Sequence, residues 1–174
     1  MASTSVIRRL HSLGDPEVEG LAALTIDVVE SGASIGFMAP LTRERARGFW
    51  ESIGRGVASG ERVLFVAEDS EGICGTVQIV LAQMENQPHR ADLSKMMVHR
   101  RARRRGVGDA LLGAAEDAAR ALGRTVLVLD TASDAAERLY ARHGWERVGA
   151  IPDYALWPDG RLGATVVYFK RLGD

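Results

Sequence analysis

The sequence predicts a mixed α/β domain, with a sheet of about seven strands flanked by about four helices. Three observations carry this. An apolar run over 91–98 is followed by a basic, glycine-bearing turn and then by apolar residues at 107, 111, 114, 118 and 122, the spacing of one helix face. A second apolar run, 125–131, comes after that helix, and a strand–helix–strand crossover favours parallel pairing. Two further runs, 63–67 and 73–81, flank Glu68-Asp-Ser-Glu-Gly72, a hairpin signal.

Taken in order, Val6 to Leu10 reads as a first strand. Asp15-Pro16 then opens a helix to about Glu30, with Asp as N-cap and Pro at the first helical position. Residues 31–40 hold two glycines and one proline and read as a loop. Its Ile35, Phe37 and Met38 either pin the loop to the core or line an acceptor pocket. Thr42 caps a second helix that ends near Gly60. Arg45 stands where a capping box would have an acid, so only half the box is present. After the hairpin, 84–90 is a polar connection. Ser133 or Asp134 starts a short helix through Ala136, Leu139 and Tyr140, stopped by Gly144. Trp145 to Ala150 is a strand, 151–163 a loop, and Thr165 to Lys170 the last strand. The order is βααβββαβαββ, expected as one domain over 1–174.

Composition excludes several classes. Hydrophobic residues make up 46% and charged residues 26%, ordinary values for a globular protein. No apolar run nears the roughly 20 residues that span a bilayer. The N-terminus lacks the apolar core of a signal peptide, so the cytoplasm is the simplest compartment. The single cysteine, Cys74, allows neither an internal disulfide nor a Cys-rich zinc site and reads as a packed thiol. His11, His89, His99 and His143 show no paired ligand spacing, so no metal is expected, although His99 could approach a phosphate. With 22 basic against 23 acidic residues the net charge is -1, which gives little help to nucleic-acid binding.

The basic residues nonetheless concentrate at Arg100, Arg101, Arg103, Arg104 and Arg105, just before Gly106-Val107-Gly108. Glycines at the mouth of a helix let the backbone turn tightly and approach a bound group. Free N–H groups and the positive helix end then favour a phosphate or pyrophosphate.

The Arg103-x-x-Gly106-x-Gly108 signature resembles that of the GCN5-related N-acetyltransferase (GNAT) superfamily, the acetyl-coenzyme A-dependent acyltransferases. Ala136-Glu-Arg-Leu-Tyr140-Ala-Arg-His-Gly144-Trp145 resembles its second motif at the expected distance. Within the superfamily, Gly32-Ala-Ser-Ile-Gly-Phe-Met38, Leu129-Asp-Thr131 and Pro158-Asp-Gly-Arg-Leu162 with Tyr168-Phe-Lys170 are similar to the tabtoxin resistance acetyltransferases.

The resemblance implies a pyrophosphate wrapped by Arg103, Arg104, Arg105, Gly106, Val107 and Gly108. It also implies a splayed strand edge, Met96, Met97 and Val98, pairing with pantetheine, with Ser133 and Ala136 nearby. Ser133 stands where the family often has Asn, so it is expected as a helix cap more than as a pantetheine contact. Tyr140 falls where the family places the acid that protonates or holds the departing thiolate. Asp92, where relatives often carry a longer Glu, and Asp130 are expected at adjacent strand ends. There they would bind the acceptor ammonium or relay its proton.

The implied reaction moves acetyl from acetyl-CoA to the primary amine of a small molecule by direct attack in a ternary complex. An amino-acid-like toxin or antibiotic, met through Ile35, Phe37, Met38, Asp92 and Asp130, is the expected acceptor. Polyamines, aminoglycosides and protein N-termini stay open, as does a non-catalytic acyl-CoA sensor. A homodimer is a family-level expectation; no nucleic-acid or membrane partner is expected.

Overall fold

The computed structural model describes residues 5–173; residues 1–4, part of the N-terminal segment read above, and residue 174 lie outside that range. The elements are β1 (Val6–Leu10), α1 (Asp15–Glu30), α2 (Arg43–Ala58), β2 (Arg62–Asp69), β3 (Gly72–Leu81), β4 (Arg90–Val98), α3 (Val107–Ala121), β5 (Val126–Thr131), α4 (Asp134–Arg142), β6 (Glu146–Leu156) and β7 (Leu162–Arg171). They run in the expected order, and a short 3-10 turn, Arg100–Ala102, precedes α3. The sheet order is β1-β2-β3-β4-β5-β7-β6. β4 and β5 are parallel, and the other neighbouring strands are antiparallel.

Two apolar layers sandwich the sheet. On one face α1 and α2 bury Leu21, Leu24 and Trp50 against Leu64, Val66 and Met97. On the other, α3 and α4 bury Leu111, Leu112 and Leu139 against Val77, Ile79, Leu127 and Leu129. Trp50 reaches across the first layer to donate its indole N–H to Thr25 Oγ1 at 2.8 Å. Glycine makes the second layer possible. A Cβ on Gly75 of β3 would lie 2.9 Å from Leu111 Cδ1 and 3.0 Å from Val107 Cγ1, so α3 sits directly on the strand.

Two expectations need correction. The N-cap of α1 is Gly14, not Asp15, because Glu17 lies three residues later and its Oε2 accepts the Gly14 N–H at 3.0 Å. Pro16 is thereby moved to the second helical position. Residues 151–156, expected in a loop, continue β6. Pro152 and Asp153 fall where the β6–β7 register jumps from Ile151↔Thr165 to Ala155↔Gly163. β6 is an edge strand, where a bulge tolerates proline. The loop shrinks to the turn after Leu156, where Trp157 N–H donates to Arg161 O at 2.7 Å.

Candidate active site

β4 and β5 pair only at Arg90↔Val126, Ala91↔Leu127 and Asp92↔Val128. Beyond these residues no pairing joins them, leaving a seam between the strands. A β-bulge in β4 accompanies the parting. Thr76 pairs with Met97 and Gln78 with Ser94, so Lys95 and Met96 both stand against Val77, and Lys95 takes φ +52°. Such a bulge bends its strand and increases the local twist. His99 N–H donates to Cys74 O at 2.8 Å. Backbone groups alternate along a strand, so Met97 turns its own toward β3. Met96 and Val98 turn theirs into the seam. Of the expected edge, Met97 is therefore corrected: its backbone is taken by the sheet and its side chain lies in the α1–α2 layer.

The seam ends at the basic turn. Arg104 (φ +60°) and Gly106 (φ +78°) both lie in the left-handed region, and Gly106 is the N-cap of α3 with no side chain to cap the helix. Its first N–H groups thus face outward, an anion-binding geometry. Gly108 serves packing as well, since a Cβ there would lie 3.3 Å from Leu139 Cδ2 of α4.

The five arginines divide. Arg100 donates its backbone N–H and Nε to the Asp27 carboxylate, the former at 3.0 Å. Arg101 forms a two-pronged pair with Asp69 at 3.0 and 3.2 Å, which holds that carboxyl below the usual range. Arg103 donates to Val98 O at 3.2 Å and to Ser31 Oγ at 2.8 Å. Arg105 reaches Arg101 O at 3.4 Å. Arg104 is exposed. Two of the five are thus pins to α1 and to the β2–β3 turn. His99 is turned away as well: its Nδ1 accepts from Arg101 N at 3.1 Å, and its Nε2 lies 3.5 Å from Asp27.

Tyr140 lies on α4 and is 3% exposed, its ring centroid 5.6 Å from Trp145 and 6.1 Å from Tyr168. Burial, with the Asp130 charge second, pushes its phenol pKa far up. It stays protonated at any physiological pH. The Ser133 hydroxyl caps α4 by accepting from Ala136 N at 3.3 Å, so that side chain is occupied as the Asn-to-Ser departure implied.

Asp130, near the end of β5, accepts from Thr165 Oγ1 at 2.7 Å. Asp92 is not at the corresponding end of β4. It is level with Val128 and accepts from Arg90 Nη1 at 2.8 Å. The expectation of two carboxylates at adjacent strand ends is corrected to this extent. Pairing sets both on one face of the sheet, but two residues apart along it. The reason is the length of β4, whose seam-facing part lies several residues beyond Asp92.

The 31–40 loop lies beside this face. Phe37 packs edge-on against Phe49 of α2 at 5.1 Å, and Phe37 and Ile35 both join the α1–α2 layer. They pin the loop, while Met38 is 38% exposed. The residue overlooked in the sequence is Lys95, whose Nζ donates to Ile35 O at 2.8 Å and lies 5.7 Å from the Phe49 ring centroid. Its signal was a cation directly before the apolar Met96-Met97-Val98 at the end of the strand. Thr165, overlooked as well, gave no signal.

Residues 60–147 match the family described as an acetyltransferase (GNAT) domain. An uncharacterized N-acetyltransferase from the hisH-hisA intergenic region of Azospirillum brasilense is 32% identical over 126 residues, 71% of this chain and 73% of that protein. The chain belongs to the GNAT acetyltransferase family. It is an enzyme of acyl transfer. Solved GNAT structures share the fold over nearly the whole chain. An N-acetyltransferase from Staphylococcus aureus Mu50 superposes with a TM-score of 0.80 at 18% identity, covering 98% of this chain and 100% of that one. A phosphinothricin acetyltransferase from Sinorhizobium meliloti, in complex with acetyl-CoA, gives 0.79 at 18%, covering 98% and 89%. Among the described residues of this GNAT chain, no group of three or more His, Cys, Asp or Glu could hold a metal ion, and no helix is long and apolar enough to cross a membrane.

Proposed function

We propose that the chain, acting as one domain over 1–174, moves an acetyl group from acetyl-CoA to the primary amine of a small molecule. The acceptor attacks directly while both substrates are bound. The observation that carries this is the seam between β4 and β5, which opens beside Asp130 of β5 and is followed along the chain by the outward-facing N–H groups at Gly106, with Tyr140 of α4 within reach of the Asp130 charge. Acetyl-CoA supplies the activated acyl group, a thioester. Its pyrophosphate would rest on Gly106, Val107 and Gly108 with Arg104 and Arg105 beside it, and its pantetheine would pair with the backbone of Met96 and Val98. Arg103 would have to yield Val98 O.

Asp130 holds the acceptor ammonium, aided by Asp92 through water, and takes up the proton that must leave before nitrogen can attack. Val98 N–H, facing the seam, would donate to the developing oxyanion. Tyr140 donates a hydrogen bond to the leaving sulfur. An ordinary alkyl thiol has pKa about 8.5, so complete transfer from this raised phenol is uphill. The hydrogen bond is therefore its main contribution. Met38, exposed on the 31–40 loop that Ile35 and Phe37 hold in place, would border the acceptor. The stretches that resemble the tabtoxin resistance acetyltransferases favour an amino-acid-like toxin or antibiotic, and the S. meliloti neighbour is a phosphinothricin acetyltransferase.

The test is coenzyme A release across a panel of amino acids, polyamines, aminoglycosides and toxin-like amino acids, with wild type and Tyr140→Phe. Amine-dependent release that falls on substitution supports the mechanism. Equal rates in both proteins remove Tyr140 from it. Acetyl-CoA binding without release for any amine would point to a sensor.

A further inference from the structure

We infer that Lys95 is a specificity-determining residue, its ammonium taking the carboxylate of a zwitterionic acceptor whose amine faces Asp130. This rests on the acceptor site proposed above and goes further by giving that site a second, oppositely charged half. The observation is one of unused donors. An ammonium carries three N–H groups. In Lys95 one is fixed on Ile35 O at 2.8 Å, and the Phe49 ring, 5.7 Å away, accepts only diffuse charge. The side chain is partly buried, and burial works against its charge. A cation held there by a positive-φ backbone needs an anionic partner. Among the described residues none reaches it as an ion pair, and Asp130 is the carboxylate that acts on it through space.

Charge around the site gives the same acceptor. On this face Arg90 pairs with Asp92 at 2.8 Å, so those two cancel. Arg62 donates to Gln78 Oε1 at 3.0 Å and adds a cation whose field reaches Lys95. Of the charges that act on Lys95, Arg62 is a second cation and Asp130 the anion, so these three groups carry one positive charge in excess. A polyamine or aminoglycoside would bring more cations to a spot where cations already outnumber anions. A primary amine close to a carboxylate matches it, with ammonium on Asp130 and carboxylate on Lys95.

Matched acceptor pairs test this: an α-amino acid and the amide of the same amino acid, read as kcat/KM with wild type, Lys95→Met and Lys95→Gln. The amide keeps the amine and deletes the negative charge. Comparing ratios between proteins cancels the difference in amine basicity. Lys95→Gln retains a donor for Ile35 O, so it removes the charge without releasing the loop, and it is the decisive variant if Lys95→Met fails to fold. The expected result is a wild-type preference for the carboxylate that falls roughly tenfold to a hundredfold in both variants, the range of one charged hydrogen bond. The KM for acetyl-CoA should not change. A preference that Lys95→Gln leaves intact, in a wild type that does transfer acetyl, overturns the role of Lys95 and leaves the acetyltransferase reading standing. A wild type inactive with every amine overturns that reading first, and this inference with it.

Discussion

Thr165 on β7 donates its hydroxyl to the Asp130 carboxylate at 2.7 Å, from a position only 3% exposed. The bond crosses between neighbouring strands and fixes the carboxylate proposed to hold the acceptor. Thr165→Val keeps the shape and removes the donor. A lost hydrogen bond to a charged group is worth about 1.5–3 kcal/mol. The acceptor kcat/KM should therefore fall at least roughly tenfold, with the KM for acetyl-CoA unchanged. Thr165→Ser should restore most of it. Steady-state kinetics with each substrate varied in turn checks this.

Tyr140 makes a prediction about pH. Its phenol is raised by burial first and by Asp130 second, so it stays protonated beyond the ordinary tyrosine value of about 10. The pH–rate profile should show no descending limb from this group below about pH 10. A limb near pH 9 that disappears in Tyr140→Phe would contradict the assignment.

Glu116 is a stability residue. It is 4% exposed and accepts from Trp145 Nε1 at 2.8 Å and from Lys170 Nζ at 2.6 Å, tying α3 to the residue just before β6 and to β7. Removing it strands the half-buried lysine and the indole N–H. Glu116→Ala should cost about 3 kcal/mol or more, a fall in Tm of roughly 6–12 °C for a chain of this size. Adding Lys170→Met should recover part of the loss. Thermal unfolding of both variants reads it out.

The Asp69–Arg101 pair sets an acid limit. Hydrogen bonding to Arg101 holds the Asp69 carboxyl below its unfolded value. Its stabilisation is therefore complete above the unfolded pKa, about 3.9. It is lost as pH falls through the lower folded value. Arg101→Met should be less stable than wild type at pH 6, and the gap should narrow below about pH 4. Urea unfolding at the two pH values measures it.

Gly75 marks where α3 lies on the sheet. Gly75→Ala forces a methyl against Leu111, Val107 and the Met97 carbonyl. Overpacking of this kind costs about 1–3 kcal/mol. Because Val107 begins the helix at the turn proposed to hold the pyrophosphate, acetyl-CoA affinity should weaken too, measurable by calorimetry.

Much of this was legible in the chain. The order of elements, the crossover and the Thr42 and Ser133 caps follow from periodicity and capping chemistry, which act over a few residues. What escaped depends on register. The bulge at Lys95 exists only because β4 must match β3 over the whole of its length, and local spacing does not record the slip. The same slip turns the Met97 backbone away from the seam, while Asp92, before the slip, is separated from the seam-facing residues by the length of β4. The continuation of β6 past Pro152 was hidden because proline and aspartate punctuate a loop equally well. Only the partner strand β7 shows that the chain resumes pairing. The division of the arginines depended on Asp27 and Asp69, both far away in sequence.

The seam between β4 and β5 has a consequence for the life of the protein outside catalysis. It is a sheet edge placed in the middle of a sheet, with N–H and C=O groups that any extended peptide could pair with. Exposed edges of this kind invite association between chains. Here the opening is short, bent by a bulge, partly covered where Arg103 holds the Val98 carbonyl, and guarded at its mouth by like charges. The basic turn proposed to hold a phosphate thus also places like charges where two copies would have to zip together, the arrangement that discourages edge pairing.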